Sequence, residues 1–109
     1  MTQKSHTEIV TTSKLLSSQR RVHALLTLRE AGSPMTIPVL AYETALREVD
    51  SPSDVTDEHL DQVELALRHV HLPKLEEFEV IRYGADGRRI SLADDIEAIE
   101  SVIEATFSR

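Results

Sequence analysis

His71-Leu72-Pro73-Lys74-Leu75-Glu76-Glu77-Phe78-Glu79-Val80-Ile81-Arg82-Tyr83, followed by Gly84-Ala85-Asp86-Gly87-Arg88-Arg89-Ile90-Ser91-Leu92, changes its period part-way along. Leu72, Leu75 and Phe78 recur at helical spacing, and from Val80 the pattern shortens into extended runs. Asp86-Gly87 separates Ile81-Arg82-Tyr83 from Arg88-Arg89-Ile90. Both turn positions tolerate positive φ, so the spacing predicts a β-hairpin over about Val80–Leu92. A helix therefore feeds directly into a two-stranded hairpin whose charge is mostly basic.

Upstream of that stretch the chain reads as further helices. Ser17 or Ser18 can N-cap a first helix running to about Ala31, where Gly32-Ser33-Pro34 stops it. Val22, Leu25, Leu26 and Leu28 give that helix a core-facing stripe. Met35-Thr36-Ile37 is short and β-prone. Pro38 suits the first turn of a second helix, with Val39, Leu40, Ala45 and Leu46 as its buried side. Asp50-Ser51-Pro52-Ser53-Asp54 breaks it. Thr56 caps a third helix, with Asp57 and Glu58 near its positive end.

The third helix carries a conflict. Val63, Leu67 and Val70 share one side, whereas Leu65, Leu72 and Leu75 lie nearer the opposite side. Either both faces are buried, or a distortion at Pro73 rotates the stripe. Proline lacks the amide hydrogen and clashes with the carbonyl four residues back, here His69, so a kink or break is expected near His71–Pro73. Past Leu92, Asp94 and Asp95 open a last amphipathic helix with Ile96, Ile99, Ile103 and Phe107 as its stripe.

With 109 residues the chain has room for one small core. Cysteine is absent, so no disulfide or thiolate metal site is possible. Met1–Ser13 is polar and without periodicity, reading as a flexible arm with no apolar signal core. No apolar run approaches a membrane span, so a cytoplasmic protein with no membrane partner is expected. The net charge of −7 opposes simple nucleic-acid binding, but the signs are segregated. Basic residues gather in Met1–Pro34 and on the hairpin; acid gathers in Glu43–Glu64, Glu76–Glu79 and from Asp94 onward.

The run His71-Leu72-Pro73-Lys74-Leu75-Glu76-Glu77, ending in Val80-Ile81, resembles the end of the recognition helix in small archaeal and bacterial winged-helix regulators. Together with Leu16-Ser17-Ser18-Gln19-Arg20-Arg21, Pro34-Met35-Thr36-Ile37 and Val55-Thr56-Asp57-Glu58, it resembles a haloarchaeal winged-helix domain family of uncharacterised function. The likeness covers roughly Leu15 to Leu92, and the acidic, lysine-poor composition suits a salt-loving host. It implies a mainly α fold with a small β-hairpin wing, a winged helix-turn-helix with an added C-terminal helix, and a role in transcription without catalysis. Residues 1–13 would be the arm, 14–92 the winged-helix domain and 93–109 a dimerisation helix. The chain departs from the pattern at Phe78-Glu79, where such helices usually end in Ala-Gly.

Candidate DNA contacts are Arg20 and Arg21 on the first helix, Arg68, His69 and Lys74 on the third, and Arg88 and Arg89 on the hairpin. Ile96, Ile99, Ile103 and Phe107 are the candidate homodimer residues. The five histidines do not suggest a metal: His69 and His71 are two apart, and the i, i+4 helical pair is absent. No cofactor motif is present, and neither a Gly-rich phosphate loop nor a nucleophile elbow occurs, so no enzyme is expected. Two classes remain, a DNA-binding transcriptional regulator contacting double-stranded DNA and a winged-helix protein–protein interaction module. The third helix divides them, because Glu64–Val70 offers only Arg68 and His69 as base readers.

Overall fold

The computed structural model describes residues 18–93. The expected N-terminal arm and the expected C-terminal helix, with Ile96, Ile99, Ile103 and Phe107, lie outside the described residues.

Ser18 caps α1 (Gln19–Ala31), its side chain accepting from the Arg21 backbone N–H. Gly32 ends the helix at φ 64°, a left-handed position that glycine adopts without steric cost. Strand β1 (Met35–Thr36) leads into α2 (Ile37–Leu46), with Pro38 in its first turn. A short 3-10 turn at Pro52–Asp54 precedes α3 (Asp57–Ala66), whose Thr56 cap accepts from the His59 N–H at 3.0 Å. Without interruption α3 passes into a π-helical turn (Leu67–His71) and then α4 (Leu72–Glu77). These three segments form the third helix of the sequence reading.

The helix continues through Pro73 instead of breaking, and the distortion expected at the proline is absorbed one turn earlier. The Leu72 N–H bonds to the Leu67 carbonyl, an i→i+5 spacing. The wider turn admits one extra residue, which resolves the two-sided stripe. Val63, Leu67, Leu72 and Leu75 all come to the core, each fully buried. Leu65 and Val70 turn outward, 59% and 54% exposed, so Val70 does not share the buried side expected for it. On α2, likewise, Leu40, Ala41, Thr44 and Ala45 are buried while Val39 faces solvent, contrary to the sequence reading.

Strands β2 (Ile81–Tyr83) and β3 (Arg89–Leu92) form the hairpin, and β3 also pairs with β1, giving an antiparallel sheet in the order β1-β3-β2. The Gly84 N–H bonds to the Arg89 carbonyl at 2.8 Å, so the loop is longer than the two residues Asp86-Gly87. Gly87, at φ 70°, supplies its left-handed position. Register sets the two sheet faces. Met35, Ile81, Tyr83, Ile90 and Leu92 lie on the core side; Thr36, Arg82, Arg89 and Ser91 lie on the outer side. One helix, β1, two further helices and a hairpin in this order make a mainly helical α+β fold, a winged helix with the hairpin as its wing.

Candidate functional site

The arginines of the wing sit where strand alternation puts them. Arg82 pairs across from Ser91, which places Arg89 diagonally beside it on the outer face, and Thr36 flanks Arg89 from β1. Arg88 lies in the loop, and its backbone N–H donates to the Asp86 carboxylate at 2.9 Å. That hydrogen bond holds the Asp86 carboxyl below its ordinary range. The Arg89 guanidinium lies 3.6 Å from the same carboxylate, so one acid partly offsets two exposed arginines. Arg82 was not among the residues singled out from the sequence, yet the period-2 alternation of the hairpin already placed it on the face of Arg89.

On the third helix, Arg68, His69 and Lys74 are all exposed. Arg68 donates to Glu64 at 3.2 Å, one helical turn back. Lys74 lies 3.9 Å from Glu77 and 5.5 Å above the Phe78 ring. Burial and the Glu76 carboxylate raise the Tyr83 phenol, while the Arg68 guanidinium pulls it down, so Arg68 is within electrostatic reach of β2. The outer surface of the third helix carries a short basic stretch between two acidic ends. Asp57, Glu58 and Asp61 are exposed at its start, Arg68, His69 and Lys74 further along, and Glu76 and Glu77 at its end.

Arg20 and Arg21 do not join this surface. Arg21 is 8% exposed, because it shares the stripe of Ala24, Leu25 and Leu28 at helical spacing. Arg20 donates to Glu48 twice, at 2.6 and 3.0 Å. His59 Nε2 lies 2.8 Å from the same carboxylate. Burial pushes the Glu48 carboxyl up, and the hydrogen bonds from Arg20 and His59 outweigh it, leaving the group below the ordinary carboxylate range. This junction ties α1 and the end of α2 to the first turn of α3, so it sets the angle at which the third helix leaves the turn. Arg47 reinforces it, donating to Thr27 Oγ1 at 2.9 Å and to Glu30 at 2.6 Å. Partners 28 residues apart have no local sequence signal, and Glu48 was missed for that reason.

His71 is buried in the π-helical turn with Nδ1 lacking a hydrogen-bond partner among the described residues. Burial, then the Arg21 and Arg20 charges, hold its pKa below the ordinary value. His69 faces solvent instead. Among the described residues no group of three or more His, Asp or Glu side chains is placed to hold a metal ion. Nor is any helix among them long and apolar enough to cross a membrane.

No curated protein and no solved structure matches the chain. Residues 13–91, most of the chain, match the model of the family described as "Domain of unknown function (DUF7344)", and the protein belongs to that family.

Proposed function

We propose that this protein is a DNA-binding transcriptional regulator of winged-helix type. The carrying observation is the outer face of the wing, which Arg82, opposite Ser91, shares with Arg89, opposite Thr36, with Arg88 exposed in the loop at the tip. Arg88 and Arg89 hold the phosphate backbone or enter the minor groove, while Arg68, His69 and Lys74 face the major groove. Arg20 and Arg21 are left out of this contact, because one is spent on Glu48 and the other is buried. Replacing Arg88 and Arg89 together by alanine should weaken binding to all duplex sequences alike. A double variant that binds duplex as well as the parent removes the wing from the function.

The same reading makes the protein a cytoplasmic homodimer of a salt-loving archaeon, joined through the sequence stripe Ile96, Ile99, Ile103 and Phe107. Light scattering should report twice the chain mass, in molar salt as in dilute buffer. A monomer in both would reject the assembly. A second reading, a winged-helix protein–protein interaction module without DNA binding, is favoured by the exposed Val39 and Tyr42 of α2. Failure of the parent protein to bind any genomic fragment would select it.

A further inference from the structure

We infer that the acidic sequence following Ala93 folds back over the outer face of the wing of its own chain, setting Glu97, Glu100 and Glu104 against Arg82 and Arg89. The chain leaves the described fold at a fixed point, because the Ala93 N–H donates to the Val80 carbonyl at 2.8 Å, at the root of the hairpin. From Asp94 to Glu104 the sequence carries five carboxylates and neither lysine nor arginine. From Val80 to Ala93 it carries Arg82, Arg88 and Arg89 against Asp86 alone, so the two stretches are complementary in charge. Elsewhere the cations are engaged or outnumbered. Arg20 and Arg47 are held by Glu48 and Glu30, and Arg21 is buried. The stretch from Asp57 to Glu79 sets seven carboxylates against Arg68 and Lys74.

The reach of the two stretches also matches. Arg82 stands opposite Ser91, two residues before Ala93, and Arg89 is four residues before it. They therefore lie about 7 and 13 Å from the exit, along a strand rising about 3.3 Å per residue. In the helix expected from the sequence, rising about 1.5 Å per residue, Glu97, Glu100 and Glu104 fall about 6, 10.5 and 16.5 Å from the same point. Spaced three and four apart, they share one side of that helix, beside the stripe of Ile96, Ile99, Ile103 and Phe107, which stays available to a second chain. Glu76 and Glu79 line the hollow at the wing root together with Arg82 and Ala93. Carboxylates leaving Ala93 are thus repelled from the end of the third helix and drawn along the wing. With the DNA-binding reading above, on which this consequence rests, the contact is autoinhibitory, because duplex and the acidic sequence compete for one face.

The chain has no cysteine, so Ser108→Cys gives one attachment point for a nitroxide spin label near the end of the acidic sequence. Paramagnetic broadening of backbone amides is then read by NMR on the full chain in dilute buffer. The expected result is several-fold stronger broadening at Gly87, Arg88 and Arg89 than at Asp57 and Glu58, at the far end of the third helix. Spin-labelled chains mixed with isotope-enriched, unlabelled chains should show far less, since the contact lies within one chain. Molar salt, with a Debye length of about 3 Å, should remove most of the broadening at the wing, as should the Glu97→Gln/Glu100→Gln/Glu104→Gln variant. Saturating duplex should displace the label likewise. A wing without broadening, broadening indifferent to both salt and the variant, or broadening as strong in the mixture overturns the inference and leaves DNA binding intact. Salt-sensitive broadening in a protein that binds no duplex keeps the contact and removes the DNA-binding reading instead.

Discussion

Glu79 occupies the left-handed backbone region at φ 60°, a place usually held by glycine. The Val80 N–H bonds back to the Leu75 carbonyl and the Glu79 N–H to that of Glu76, the paired bonds of a Schellman motif. Val80 and Leu75, both buried, supply its apolar contact. The missing Ala-Gly therefore changes the residue and not the geometry, and the wing leaves the helix as it would from a glycine cap. Glu79→Gly should raise stability by about 0.5–1 kcal/mol, the relief of the left-handed strain less the added flexibility of the unfolded chain. Urea denaturation measures it, and a loss of stability would mean that the position is not strained. At His71 the consequence is a pH dependence. Its folded pKa is depressed by burial and by Arg21 and Arg20, against Glu48, so the unfolded chain takes up a proton near its ordinary value of about 6.5 while the folded one does not. The unfolded state then binds more protons, and stability falls as the pH drops below about 6.5. His23, depressed by burial, works in the same direction. Urea midpoints between neutrality and mild acid should show this slope, and His71→Leu should lessen it; an unchanged slope would clear His71.

At the scale of elements, the third helix shows what a periodic pattern conveys. Its capping by Thr56, its length and its conflict between two stripes are all legible in the residues. The resolution was not, because a π-helical turn is a single extra residue that hydrophobic spacing alone cannot distinguish from a kink. The buried set Val63, Leu67, Leu72, Leu75 requires the five-residue step from Leu67 to Leu72, and the carbonyl opposite Pro73 is the one that proline cannot satisfy. Leu72→Ala should cost about 2–5 kcal/mol, whereas Leu65→Ala and Val70→Ala should each change stability by less than about 0.5 kcal/mol. In an uninterrupted α-helix Leu72 would turn away from Leu67, so a mild Leu72→Ala with a costly Val70→Ala would restore that helix and refute the π turn. Urea midpoints of the three variants decide between them. The hairpin was more readable, since Gly87 and the alternation of Ile81, Arg82 and Tyr83 are local signals.

At the scale of the molecule, the order of elements followed from the sequence because each turn has its own chemistry. The site followed only in part. Adjacent arginines at 20 and 21 look alike in sequence, yet one is drawn to Glu48 across the fold and the other lies on the stripe of α1. Long-range pairing of that kind withdrew the first helix from the basic surface and left the wing as its centre. With a net charge of −7, the proposed DNA contact requires a local basic face, so few phosphates should be neutralised and the salt dependence should be shallow. The most direct measurement is anisotropy titration of mixed-sequence duplexes at several salt concentrations, with the parent and the Arg88→Ala/Arg89→Ala variant. The expected result is uniformly weaker binding by the variant and a slope of log affinity against log salt lower by about two. Equal affinity and equal slope for the two proteins would contradict a DNA contact made by the wing.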